Sequence, residues 1–256
     1  MEIKIAYLYS HQLNLYGDRG NIIALCRRAE WRGIRPVVVE IGLGEKADLK
    51  EYDFIFLGGG SDREQQIITA DLLRYKGHSL VEAVEEGTAL LSICGGYQLL
   101  GQFYRTATGE EIKGIGLFNA YTVAGKGRLI GNIVIETEID GFKRMVVGFE
   151  NHSGRTYLGA GVKPMGRVLA GYGNNGEDGF EGAVYKKAWG TYLHGPLLPK
   201  NPFLADLLLR QALEKRYGPV ELVPLKDGLE TLTHERIVER FGKKKKKLFA
   251  GILSKI

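Results

Sequence analysis

The chain has 256 residues, 44% of them hydrophobic and 25% charged, long enough to bury a full core as one domain or two. No apolar run is long enough for a membrane-spanning helix, and the apolar and charged fractions are those expected of a soluble globular protein. The net charge of +5 is supplied entirely by Lys243 to Lys247, so the body is neutral and its charge gives no support to nucleic-acid binding.

The chain begins with a strand-like MEIKIAYLYS that lacks a signal-peptide pattern. Its two cysteines, Cys26 and Cys94, provide no disulfide framework. Together these features lead us to expect a reducing cytoplasm. Ile3 to Tyr9 reads as a buried strand. Arg19 to Trp31 reads as a helix with Asp18 or Asn21 near its start and Cys26 packed in its core face. Val37 to Ile41 and Tyr52 to Leu57 are the next strands, and the second ends in Gly58-Gly59-Gly60. Asp62 to Glu86 reads as helix broken near Gly77. Strands alternating with helices predict a parallel sheet with crossover helices on both faces, which binds ligands at the carboxyl ends of its strands.

Thr88 to Ile93 is a short apolar run. From Tyr97 to Phe103 apolar side chains recur at helical spacing. Cys94 sits at the junction, followed by Gly95 and Gly96. The pattern predicts strand, sharp turn and helix with a thiol at the corner, the layout of a nucleophile elbow. A helix N-terminus there favours thiolate over thiol and stabilises an oxyanion. A buried structural cysteine is the plainer alternative, because free Cys is among the most buried residue types.

From Gly114 to Tyr192 glycines are dense and short strands are expected, with Arg128 to Glu136 and Met145 to Phe149 antiparallel or at an edge. Ala183 to Tyr185 and Trp189 to Tyr192 read as a hairpin leading to His194. Pro196, Pro199 and Pro202 suggest an extended connection, and Asn201 the cap of a helix with Pro202 at its first position. After Tyr217 regularity fades, apart from a short helix at Thr233 to Phe241. The organisation expected is therefore a domain at 1–217 and a lysine-rich extension at 218–256.

A cysteine nucleophile works best beside a base that is held in place. Of five histidines, His152 in ENHSGR and His194 in GTYLHG lie at strand ends. His194 is delivered to the sheet rim where the elbow also sits, whereas His152 reads as a residue that shapes the backbone. Gly59 or Gly60 could bring an N–H to the reacting carbonyl beside the amide of Gly95. Gln98 falls on the same helical face as Cys94. Arg128 suits a carboxylate, although a solvated surface arginine reads equally well.

The set LGGG at 57–60, SICGGYQLLG at 92–101, ENHSGRT at 150–156 and GTYLHG at 190–195 resembles the class I glutamine amidotransferases, most closely the cobyric-acid-synthase-type branch. Length and stand-alone architecture further resemble the glutaminase subunits of lipid II isoglutaminyl synthases. The resemblance covers residues 1 to about 217. It implies a doubly wound α/β fold, mostly parallel, with an antiparallel extension. It also implies L-glutamine as substrate, with Cys94 as nucleophile and His194 as base. Gly59 or Gly60 and Gly95 would be oxyanion donors, Arg128 would hold the α-carboxylate, and Gln98 would lie near the substrate. The ammonia would pass to a MurT-like Mur ligase subunit that amidates D-glutamate of the lipid II stem peptide in peptidoglycan synthesis.

No cofactor is implied in this chain. It contains no G-x-x-x-x-G-K-[ST] loop, so ATP and Mg are expected on the partner. Many class I glutaminases carry Glu two residues after the histidine, where this chain has Pro196. The orienting carboxylate must then come from elsewhere, or the pair works as a dyad. A partner-supplied acid would make the free subunit slow. Other readings of the same residues are a glutaminase of another cobyric-acid-type enzyme, a cysteine peptidase, and a non-catalytic binding subunit. The lysine run reads as a solvated tail or as a contact with anionic membrane at the inner face.

Overall fold

The computed structural model describes residues 1–242. The lysine run at 243–247 and the stretch after it lie outside the described residues. In chain order the first half contains β1 (Glu2–Leu8), α1 (Arg19–Glu30), β2 (Arg35–Ile41), β3 (Phe54–Leu57), α2 (Asp62–Asp71), α3 (Gly77–Glu85), β4 (Ala89–Ile93) and α4 (Gly95–Leu100). The break expected near Gly77 is a π-helical turn, Leu72–Lys76, between α2 and α3. β3 and β4 are buried at every position, as an apolar run covered on both faces requires.

The second half contains β5 (Phe103–Arg105), β6 (Glu111–Lys113), β7 (Ala120–Ile139), β8 (Phe142–Leu158), β9 (Gly166–Ala170), β10 (Phe180–Glu181), β11 (Ala183–Tyr185), β12 (Ala188–Thr191), α5 (Leu197–Lys200), α6 (Pro202–Tyr217) and α7 (Gly228–Phe241). Three sequence expectations are corrected here. The elbow helix stops at Leu100, and Phe103 opens a strand because Gly101 leaves the helical conformation. The strands expected to be short are a 20-residue and a 17-residue pair, β7 and β8, whose register shifts between Ala124 and Leu129. The proline-rich connection holds the single turn α5, and the Asn201 side chain does not cap α6. Its Oδ1 accepts from the Val147 N–H, and its Nδ2 donates to the carbonyls of Val147 and Leu197, tying the helix start to β8.

The main sheet has the order β11-β12-β4-β3-β1-β2, parallel except for the antiparallel edge strand β11. The chain leaves β1 toward β2 and leaves β3 in the opposite direction, toward β4. Right-handed crossovers then put α1 and the helices following β3 on opposite faces. Adjacent strands whose connections diverge open a crevice at their carboxyl ends, here between β1 and β3. The second sheet, β10-β9-β7-β5-β6 with β8 on β7, stands beside that rim. An antiparallel bridge between Phe149 and His194 joins the two sheets. Helix α7 packs Ile237, Val238 and Phe241 against Val134, Val147 and Ala170 of the second sheet. Among the described residues, no helix is long and apolar enough to cross a membrane.

Candidate active site

Cys94 ends β4 and begins α4 with φ 48° and ψ −106°, a conformation an L-residue holds at a cost of about 1–3 kcal/mol. The surroundings enforce it. The Cys94 N–H donates to the Thr191 carbonyl, and its own carbonyl accepts from the Gln98 N–H. Gly96 passes so close to β3 that a Cβ there would lie 2.7 Å from the Gly58 carbonyl oxygen, so only glycine completes the turn. Cys94 is 7% exposed and lines a cavity of about 470 Å³, which it shares with Tyr16, Asp62, Gln98, Arg128 and Asn151.

His194 arrives from β12, the neighbour of β4, and is fully buried. Its Nδ1 lies 3.3 Å from Oδ1 of Asp18, which is also fully buried, while Nε2 has no hydrogen-bond partner among the described residues. Burial alone would lower the imidazole pKa. The neighbouring Cys94 sulfur and the Asp18 carboxylate outweigh it and lift the value to about 10. The open position on Nε2 is what a base needs in order to receive a thiol proton. An imidazolium here is the partner that a thiolate nucleophile requires.

Asp18 is the residue the sequence reading missed in this role. It falls at the start of α1, where an aspartate reads as a helix cap, yet its side chain makes no cap bond. Its Oδ2 instead accepts the Gly59 N–H at 2.7 Å. A carboxylate placed to orient His194 therefore lies in this chain, 176 residues from the histidine, on the loop that leaves β1. No local pattern reports a partner at that separation; the only signal is a switch-point loop carrying an acid.

The same bond corrects the expectation for Gly59, whose N–H is committed to Asp18. The N–H groups of Gly60 and Gly95 have no partner among the described residues and lie side by side. A Cβ built on Gly95 would sit 2.9 Å from the Gly60 nitrogen. Two free N–H groups next to a nucleophile can hold an oxyanion. Gln98 lines the cavity, but its amide is engaged: Oε1 accepts from Gln65, and Nε2 donates to the Tyr192 hydroxyl. It shapes the wall.

Arg128 is on the β7 side of the cavity. Nε donates to Oδ1 of Asn151 at 2.7 Å, and Nη2 donates to the Asn151 carbonyl at 2.8 Å. His152 has the backbone-shaping place expected of it. Its Nδ1–H donates to the Gly154 carbonyl, and its ring stacks on Tyr192 at 3.7 Å. Burial holds its pKa below the usual imidazole value despite Glu150 nearby. No group of three His, Cys, Asp or Glu side chains suited to a metal ion occurs among the described residues.

Residues 4–202 match the CobB/CobQ-like glutamine amidotransferase domain. The chain is 46% identical over 245 residues to the protein named lipid II isoglutaminyl synthase (glutamine-hydrolyzing) subunit GatD of Staphylococcus aureus (strain N315), covering 96% of this chain and 98% of that one. It is 41% identical over 247 residues to the protein of the same name from Streptococcus pneumoniae (strain ATCC BAA-255 / R6), covering 96% and 93%. Among solved structures, PurLQS from Thermotoga maritima superposes with a TM-score of 0.57 at 18% identity, covering 84% of this chain and 97% of that one, a likeness of fold.

Proposed function

The chain belongs to the CobB/CobQ-like glutamine amidotransferase family, and from that premise we propose that it is the glutaminase subunit of a glutamine-dependent amidotransferase. The observation that carries this reading is the buried Asp18–His194 pair set beside Cys94 at its strained elbow. The Cys94 sulfur attacks the side-chain carboxamide carbon of L-glutamine. His194 takes the thiol proton through Nε2. The N–H groups of Gly60 and Gly95 hold the resulting oxyanion. The tetrahedral intermediate collapses as His194 returns the proton to nitrogen, ammonia leaves, and a γ-glutamyl thioester remains. Water, deprotonated by the same imidazole, then cleaves the thioester to glutamate and free thiol. Asp18 keeps the ring in the productive tautomer, and Arg128 holds the α-carboxylate of the substrate.

Both relatives quoted are named as subunits of a lipid II isoglutaminyl synthase. We extend that name to this chain. Ammonia passes to a separate Mur-type ligase subunit carrying ATP and Mg, which amidates the D-glutamate of the lipid II stem peptide in the cytoplasm. There the lysine run at 243–247 would lean on the anionic inner face of the membrane. An aromatic cover over His194 and an arginine in the cavity favour a small amino acid over a peptide strand, against the peptidase reading.

The test is ammonia release from L-glutamine, with labelling of Cys94 by a γ-electrophilic glutamine analogue and Cys94→Ala as control. Release and labelling that both vanish in Cys94→Ala support the assignment. Absence of ammonia from glutamine, with the ATP-dependent partner present, overturns it. Amidation of lipid II by the paired subunits tests the acceptor separately.

A further inference from the structure

Tyr16 lies in a single 3-10 turn, Leu15–Gly17, between β1 and α1, and takes φ 57°, a region L side chains rarely adopt. The turn is fastened on either side: the Leu15 N–H donates to the Gly59 carbonyl, and the Arg19 N–H to Oδ1 of Asn14. Between those fastenings the Tyr16 ring stands edge-on to the His194 imidazole, with centroids 5.0 Å apart. Tyr16 is 45% exposed, and it covers a histidine that is itself fully buried. Its hydroxyl accepts a hydrogen bond from Nδ2 of Asn151 at 2.7 Å. Asn151 in turn accepts both of its bonds from Arg128. The chain of contacts Arg128–Asn151–Tyr16–His194 thus crosses the cavity mouth from the second sheet to the main sheet.

The donor count assigns a purpose to Asn151. A guanidinium carries five N–H groups, and Asn151 occupies one on Nε and one on Nη2, which leaves both on Nη1 and one on Nη2 for a ligand. Asn151 therefore fixes Arg128 with its outer end free. One of the two N–H groups on its amide nitrogen donates to Tyr16.

We propose that Asn151 and Tyr16 are positioning residues forming a strap across the mouth. Asn151 sets Arg128 for the carboxylate of the incoming amino acid and, through the Tyr16 hydroxyl, holds the aromatic cover over His194. Seating of the substrate on Arg128 and closure over the imidazole are then one coupled event. The coupling keeps the cavity closed to bulk water while ammonia leaves, before the hydrolytic water reaches the thioester. This inference rests on the glutaminase reading for its substrate, but the strap can be tested without glutamine.

The experiment measures the rate at which iodoacetamide, a small neutral electrophile with no carboxylate, alkylates Cys94 in the full chain. Modification is read at the Cys94 peptide by mass spectrometry so that Cys26 does not contribute. Tyr16→Phe keeps the ring and loses one bond, and alkylation is expected to rise about five-fold as the cover loosens. Asn151→Ala is expected to raise alkylation similarly and to raise KM for glutamine about ten-fold with a smaller change in kcat. Arg128→Ala is decisive, because loss of a positive charge in the cavity by itself favours the thiol and slows alkylation, so a rise reports the loosened cover. The double variant Tyr16→Phe with Arg128→Ala is expected to alkylate no faster than the faster single variant.

Unchanged alkylation in Tyr16→Phe, or a rise there with none in Arg128→Ala, overturns the strap. Should Asn151→Ala fold poorly by thermal melt, the Tyr16 and Arg128 pair decides alone. Failure of the glutaminase reading shows differently, as wild-type Cys94 that takes iodoacetamide but releases no ammonia from glutamine.

Discussion

The His194 imidazole is pulled in two directions: burial favours its neutral form, and the Cys94 sulfur with the Asp18 carboxylate favours the charged one and wins, raising the pKa to about 10. Asp18→Asn keeps the side-chain shape and removes one of the two upward pulls, so the imidazole pKa falls. We expect kcat for glutamine hydrolysis to drop on the order of 10²-fold or more, because the ring loses its orienting partner. In the proposed mechanism the charged imidazole is the form that protonates departing ammonia, so activity is expected to be lost as pH rises through its pKa. The alkaline limb of the kcat profile should accordingly move to lower pH in the variant. A profile identical to wild type would remove Asp18 from the machinery. Tyr97 and Tyr192 beneath the elbow are pushed up by burial, Tyr97 well above the phenol range, so they remain neutral hydrogen-bonding groups throughout that titration.

At the scale of elements, the elbow and the glycine loop after β3 form one unit. A methyl group on Gly95 would lie 2.6 Å from the Gly60 carbonyl oxygen, which is backbone and can move only with its loop. Gly95→Ala should therefore displace the Gly60 N–H and lower kcat on the order of 10²-fold, the usual effect of removing one oxyanion donor. Cys94 should remain reactive to iodoacetamide, so the alkylation rate and kcat separate this effect from unfolding.

A second element-level expectation concerns the strand that delivers His194. Glu181 of β10 is fully buried; one oxygen accepts from the Tyr192 N–H and the Thr191 hydroxyl, and the other has no partner. Burial raises its carboxyl pKa from 4.5 to about 7. Because the folded value is raised, its contribution to stability is full below the unfolded pKa and declines as pH rises through the folded one. Glu181→Gln cannot ionise and keeps the accepting oxygen. Its Tm should gain on wild type between about pH 5 and about pH 8, with the direction checked by thermal melts at both ends.

For the whole molecule, the consequence of Asp18 is independence. In the proposed mechanism the thiol, the base and its orienting acid all belong to this chain, and so do two backbone N–H groups that have no partner among the described residues. We expect ammonia release from glutamine by this subunit alone, sensitive to Cys94→Ala and to Asp18→Asn. A lone subunit that turns over only with its ligase present would return the orienting acid to the partner. Deleting residues 243–256 should leave that solution activity intact while reducing binding to anionic liposomes, if the lysine run serves the membrane.

Much of this was legible in order along the chain. The alternation of strands and helices announced a parallel doubly wound sheet. Cys94 between an apolar run and two glycines announced the elbow, because the turn's steric demand is local and glycine meets it. The helix expected at 233–241 exists but begins at Gly228. Other features depended on contacts made at a distance. The role of Asp18 arises because connections from β1 and β3 diverge and leave its loop against His194. Asn201 was read as a helix cap, but packing gave its amide better partners on β8. Gly59 looked like an oxyanion donor until the fold placed a carboxylate on its N–H. Short-range sterics and side-chain periodicity are written in neighbouring residues, and these determined the fold class and the elbow that carries the candidate nucleophile. Which donor meets which acceptor across the rim was decided only when the two sheets came together, since a buried polar group takes the partner the tertiary structure supplies.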